Sequence, residues 1–221
     1  MRTLITFMKT GRAACMSHLD LQRAMLRGLR SAGVRPVYSS GFNPHPKLSL
    51  ALPLSLGFES LCEYLEVTTE KPFSVSAGEL DRTLPDGVVV VSIGEIAERG
   101  ASVASRVRYA GYDIVAPNPD GVGEGVAEHI GRYLAQERII AAKENRKKGR
   151  TDEIDIKPMI KELVPERKVG ERAHYACTLS AHAGAVLNPL LLMKSFYGFC
   201  GMPAVNDDEF TVTRTKIILA K

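Results

Sequence analysis

The chain has 221 residues, 45% hydrophobic and 24% charged, enough apolar material for one mid-sized domain or two small ones; disorder throughout is excluded. Lys plus Arg (29) less Asp plus Glu (25) leaves a net charge of +4 and a pI near 8.9, compatible with a nucleic-acid partner but short of a basic arm. No apolar run reaches the roughly 20 residues of a membrane span, and polar residues interrupt the opening MRTLITFMKTGRAAC where a secretory signal needs a continuous apolar stretch; a cytoplasmic protein without membrane contact is expected.

In chain order, Thr3–Met8 predicts a strand. Ser17 has the place of a helix N-cap, and Met16, Leu19, Met25, Leu26 and Leu29 recur at helical spacing up to Gly33, a natural stop. A loop, YSSGFNPHPK (residues 38–47), follows. Leu48–Leu56 and Cys62–Thr69 alternate as strands, Ser76–Leu84 reads as a short amphipathic helix, and Gly87–Ile96 as a Val-rich strand. That β-α-β-β-α-β order is the order of a ferredoxin-like unit. After a break at Ala97–Arg106, the second half repeats it less clearly. Tyr109–Ala116 is a strand, and Val122–Gln136 a helix with Val126, Ile130 and Leu134 on one face. Arg138–Glu144 is a short strand, and in EIDIKPMIKELV alternation gives way after Pro158. His174–Ala181, Asn188–Cys200 and Phe210–Ala220 read as strand, helix and closing strand. The expected fold is α+β, two tandem ferredoxin-like (βαββαβ) halves at residues 1–98 and 107–221.

Cys15, Cys62, Cys177 and Cys200 are widely separated and form no CxxC pair, so zinc, redox and radical-SAM cluster patterns are absent and four separate buried thiols are expected. No metal and no organic cofactor is expected. The glycines of GVGEG (residues 121–125) precede a helix, but the spacing is not GxGxxG, Glu124 would repel phosphate, and no Walker lysine follows.

Two stretches are more specified than a fold requires: SHLDLQRAMLRGLR (residues 17–30) and YSSGFNPHPKLSLALPLSLGFES (residues 38–60). With SHLD at Ser17–Asp20, GFNPHP at Gly41–Pro46, and Pro53, Leu54, Leu56, Gly57, Ser60, Glu63 and Tyr64 following in register, the chain resembles a bacterial family of radical-SAM-linked proteins of unknown function. IDIKP at Ile154–Pro158 and TRTKI at Thr213–Ile217 resemble that family's later markers. The resemblance covers essentially the whole chain. It implies a radical SAM protein, encoded alongside or fused, as partner, and it assigns no reaction to the domain itself.

Arg23, Arg27 and Arg30 stand at i, i+4 and i+7, a stripe on the face opposite the leucines. Guanidinium groups grip phosphates through paired donors, so the stripe suits a nucleic-acid backbone. In GFNPHP, Gly41 permits unusual backbone angles and two prolines stiffen the presentation of Asn43, His45 and Lys47. Arg146, Lys147, Lys148 and Arg150 form the densest basic run, a second candidate contact for a structured RNA. His18, Asp20, His45 and Glu63 have the chemistry of a metal or acid–base set, yet Ser17 capping the helix and Asp20 facing its positive end account for two of these positions structurally. GRTD at Gly149–Asp152 resembles the catalytic-aspartate motif of a family of tRNA pseudouridine synthases, but the GVHA that should follow is missing.

The leading expectation is an accessory module, without redox chemistry of its own, that binds RNA or presents a substrate to a radical SAM partner. The alternatives are a metal-independent RNA-processing or RNA-modifying enzyme using His45 or His18, and a pure protein-interaction subunit.

Overall fold

The computed structural model describes residues 1–117, 125–145, 149–169, 172–202 and 204–220. They group into two compact units, Met1–Val107 with Arg214–Lys221, and Arg108–Thr213. The architecture is mixed α+β and richer in strand than in helix. The expected boundary at residues 107–221 differs at its end, because Arg214–Lys221 belongs with the first unit, where Arg214 enters a buried ion pair. Among the described residues no helix is long and apolar enough to cross a membrane.

In the first unit, β1 (Arg2–Lys9) alternates strictly, turning Thr3, Ile5, Phe7 and Lys9 inward. It pairs antiparallel with β3 (Glu59–Thr68) on one edge and β4 (Val88–Ile96) on the other, Ile5 lying opposite Leu65 and Ile93. The far edge of β3 carries β2 (Leu48–Leu50), antiparallel, with Leu48 opposite Val67 and Leu50 opposite Leu65. The last strand, β11 (Thr211–Leu219), also neighbours β3.

Over this sheet lies α1 (His18–Ser31), whose Ser17 Oγ accepts a hydrogen bond from the Asp20 amide at 3.1 Å. That cap satisfies one of the amides a helix start leaves without a partner. Leu21, Met25 and Leu29 are buried on α1 against Ile5, Phe7, Leu65 and Val67, each fully buried apolar side chain contributing about 1.5–3 kcal/mol of transfer free energy. Leu19, expected on that face, is 58% exposed. It stands two residues before Leu21, about 200° around the helix, and therefore points away. The short helix α2 (Ala77–Asp81) is closed by a capping box between Ser76 and Glu79 and buries Leu80. At the turn into β4, Gly87 has φ +85, and a Cβ there would stand 2.2 Å from the Thr10 carbonyl oxygen.

The predicted strand Leu48–Leu56 is three residues long. Beyond Leu50 only the Ala51 amide continues the pairing, to the Tyr64 carbonyl at 2.9 Å. Pro53 has no amide to donate, and the carbonyls of Leu52 and Pro53 turn to Arg214 instead. In the predicted break, Val103–Arg106 forms a single helical turn, α3, capped by Ser102.

In the second unit, β5 (Val107–Pro117) pairs antiparallel with β9 (Arg172–His182), Tyr112 opposite Cys177 and Ile114 opposite Tyr175. The opposite edge of β9 takes β8 (Ile160–Val169), and β10 (Ala185–Val186) extends that edge as a short hairpin. Two helices complete the unit, α4 (Val126–Ala135) and α5 (Pro189–Phe199), the latter capped by Asn188. Tyr133, Tyr175, Phe196 and Tyr197 pack edge-on or tilted with centroids 5.4–6.4 Å apart, an aromatic cluster at the centre of this core.

The second half also departs from expectation at its middle: β6 (Ile140–Asn145) and β7 (Arg150–Asp155) form a separate two-stranded ribbon, and the strand beside β9 on the edge away from β5 is the later β8. Asp155 closes the ribbon's base by accepting hydrogen bonds from the amides of Ile139 and Lys157, both at 3.1 Å, while Ile156 is fully buried. The Ile139 hydrogen bond, first among several, holds the Asp155 carboxyl below its ordinary pKa. This gives the IDIKP segment a structural duty.

Candidate nucleic-acid interface

Helix phase places Arg23, Arg27 and Arg30 on the exposed side of α1. Arg23 reaches the Asp20 carboxylate at 3.4 Å, an exposed pair. Arg30 donates to the Tyr38 hydroxyl, and its guanidinium carbon lies 5.8 Å from the Tyr38 ring centroid, tying the helix end to the start of the following loop. Arg27 stands between them, exposed.

The loop is pinned at its neck. The Ser39 amide donates to the His45 carbonyl at 2.8 Å, and the His45 amide to Ser39 Oγ at 2.9 Å. Tyr38 bridges Pro46, and the Lys47 amide donates to the Val37 carbonyl at 2.7 Å. Below that neck the Val37 amide donates to the Thr68 carbonyl and the Thr68 amide to the Lys47 carbonyl, so the loop is rooted in β3. Above it, Gly41 takes φ +124, a conformation other residues rarely adopt, and the tip is presented outward. Gly41, Phe42, Asn43, Pro44 and His45 are all exposed, Phe42 completely, at 113% relative exposure.

Helix and loop enclose a cleft of about 360 Å³, with Gln22, Arg23 and Leu26 on the helix side and His45, Pro46 and Leu48 on the loop side. The Gln22 side chain donates to the Leu48 carbonyl at 3.2 Å and ties the floor together. A second opening, about 570 Å³, lies at the other end of the stripe between Arg30, Arg35, Pro36, Tyr38 and Glu70. The arginines thus run from one cleft to the next, along a surface that also carries His45.

A family model described as an uncharacterised protein conserved in bacteria, DUF2344, matches residues 2–189. The chain belongs to that family. A comparison with curated proteins finds no match. Among solved structures, the DUF2344 chain is similar to a chain from the crystal structure of a Cbf5–Nop10–Gar1 complex, with a TM-score of 0.59 and 8% identity over 97% of this chain and 48% of that one. It therefore spans about half the length of that relative, and the likeness is one of fold. A putative glycine cleavage system transcriptional repressor aligns over 99% of this chain and 97% of its own, at 12% identity and a TM-score of 0.28.

His18, Asp20, His45 and Glu63 do not act as a set. Among the described residues no group of three or more His, Cys, Asp and Glu side chains is placed to hold a metal. Asp20 accepts from the Ser17 hydroxyl at 2.6 Å and pairs with Arg23, His18 is half-buried in the first helical turn, and Asn43 and Lys47 are exposed on the loop. Glu63 is buried and accepts from Arg214 at 2.7 Å, both side chains 2% exposed. Arg214 also donates to the carbonyls of Leu52 at 3.3 Å and Pro53 at 2.8 Å. Lys9, on the same inward face, donates to the Ala14 carbonyl at 2.9 Å; burial draws its pKa below the ordinary lysine value, opposed by the nearby Glu63 charge. Glu63 is thus the counter-ion of a buried cationic cluster.

Arg150 pairs with Asp152 at 2.6 Å on β7, which engages the aspartate of GRTD in a local ion pair. Arg146, Lys147 and Lys148 lie outside the described residues, as do Gly121 and Gly123. The four cysteines form no disulfide, and only Cys177 is buried; Cys15 is exposed and Cys62 and Cys200 half-buried, because they sit at element ends or on outward strand positions. Burial, and next the Glu63 charge, push the Cys62 thiol up, away from thiolate reactivity. Sequence reasoning missed Phe42, whose signal is an aromatic inside a Gly-Asn-Pro tip, and Lys9 and Arg214, whose signal is a cation at a strictly inward strand position.

Proposed function

We propose that this DUF2344 protein is a cytoplasmic RNA-binding or substrate-presenting module that works beside a radical SAM partner. The observation that supports the RNA reading is the cleft in which Arg23 from α1 and His45 from the GFNPHP loop face each other, with Arg27 and Arg30 continuing the basic line. Guanidinium groups at one-turn spacing suit successive phosphates, and the pinned loop reduces the ordering entropy of a contact. The radical SAM partner rests on the family resemblance, and the cytoplasm on four separated cysteines that form no disulfide, which suits a reducing compartment.

On the fold, we read two ferredoxin-like units in tandem. Support comes from the all-antiparallel order β4-β1-β3-β2 in the first unit, and from β5-β9-β8 in the second, which repeats β1-β3-β2 once the inserted ribbon is set aside. The fold likeness to a chain of the Cbf5–Nop10–Gar1 complex is consistent with work inside an assembly.

The test is fluorescence anisotropy with labelled structured and single-stranded RNAs over a salt series. Arg23→Ala, Arg27→Ala and Arg30→Ala should each weaken binding across sequences and lower the slope of log affinity against log salt by about 0.7 for single strands or 0.9 for duplexes. A triple variant with unchanged affinity and slope would refute the reading.

A further inference from the structure

Phe42 is the most exposed of the large apolar side chains among the described residues, and it stands where nothing of its own loop can cover it. The Ser39–His45 exchange and the Tyr38–Pro46 bridge close the neck, Gly41 turns the backbone through φ +124, and Pro44 fixes φ on the other side. The backbone that carries the ring is thus restrained at its neck before a partner arrives. Its surroundings choose the partner. His45 is three residues on and Lys47 two further, and Arg23 lines the cleft that His45 borders, while Asp20 is the sole acid of α1. An apolar plane beside cations matches the two halves of a nucleotide, a π-face and a phosphate. The cleft volume of about 360 Å³ falls within the roughly 300–1,000 Å³ of small-ligand sites.

We propose that Phe42 stacks on an unpaired base of a single-stranded RNA segment, while the adjoining phosphodiester enters the cleft between Arg23 and His45. This rests on the RNA-binding reading above and narrows it to unpaired nucleotides. A duplex offers its bases already stacked and gives Phe42 no free face, so only single strands gain from the ring.

The chain contains no tryptophan, so Phe42→Trp installs a single reporter at the stacking position. The full chain, its Phe42→Ala variant and its Phe42→Trp variant are titrated with a fluorescein-labelled single-stranded RNA of about 12 nucleotides. The same RNA annealed to its complement is the control. Phe42→Ala should lose about 5- to 150-fold in single-strand affinity. Its duplex affinity and its salt slope should stay unchanged, since no phosphate contact is removed. Phe42→Trp should retain single-strand affinity, with its emission quenched by the unlabelled single strand and not by the duplex. The inference is overturned if the parent chain binds RNA while Phe42→Ala binds both forms normally, if both affinities fall together, or if the indole emission of the Phe42→Trp variant ignores the single strand. If the parent chain binds neither form, the RNA reading itself fails. A Phe42-dependent interaction with a purified radical SAM protein in its place would assign the ring to a protein pocket.

Discussion

The buried pair between Glu63 and Arg214 is open to a double-substitution cycle, with Glu63→Met, Arg214→Met and the variant carrying both. Arg214→Met removes a 2.7 Å charge-assisted hydrogen bond and frees the carbonyls of Leu52 and Pro53, leaving a carboxylate that is 2% exposed with Lys9 as its cation. Glu63→Met leaves the buried guanidinium and the buried Lys9 ammonium without that counter-charge. Removing one partner of a buried pair costs about 3–5 kcal/mol. For a chain of this size that corresponds to a drop in Tm of about 6–20 °C. The double variant removes both charges of the pair but leaves Lys9 without its carboxylate, so its loss should match that of Glu63→Met and stay well below the sum of the single losses, giving a coupling energy near 3 kcal/mol. Urea unfolding followed by far-ultraviolet circular dichroism, with m held constant, measures all four corners. A double variant whose loss equals the sum of the single losses to within about 0.5 kcal/mol would refute the reasoning, since the two side chains would then contribute independently.

Gly87→Ala should destabilise by about 3 kcal/mol or more, because φ +85 and a carbonyl 2.2 Å from the new Cβ leave it nowhere to go; chemical unfolding gives the value, and a change below about 1 kcal/mol would contradict the close approach. Burial, only partly offset by the Ser195 hydrogen bond, pushes Tyr133 up to about 12, and burial also raises Tyr175 and Tyr197. A folded pKa above the unfolded value of 10 means the unfolded chain loses its proton first. The stability these hydroxyls contribute is therefore complete below pH 10 and is lost as pH rises through 12. Absorbance titration should show some of the seven tyrosines still neutral near pH 11, and Tyr133→Phe should lessen the alkaline loss of stability.

What the sequence made legible follows the physics of local signals. Ser17, the apolar spacing through Leu29, and Gly33, which takes φ +83, define α1 within a residue or two because cap, face and stop all lie inside it. β8 was hidden: alternation gives way after Pro158, and Pro165 has no amide to donate, yet Pro165 lies beside an irregularity in the register with β9, where a missing amide is tolerated. Leu48–Leu56 misled in the opposite sense, since alternation continues past Leu50 but the backbone turns toward a guanidinium from a distant strand. Glu63 stood out by its motif, but its role depends on a partner 151 positions away, which no local pattern encodes. On the candidate interface the cations could be read from helical phase, whereas the joining of Arg30 to Tyr38 and the pinning of Ser39 to His45 needed the loop's path.

The 151 positions between Glu63 and Arg214 also set an order of events during synthesis. At roughly 5–20 residues per second, about 8 to 30 s pass between the ribosome adding the glutamate and adding its arginine. Through that interval β1, α1 and β3 can collapse, yet the carboxylate inside them has only a buried lysine to face. The unit begun first is thus completed only after the whole of Arg108–Thr213 has been made, and a nascent chain stalled before position 214 presents chaperones and proteases with a core that lacks the partner of one buried charge.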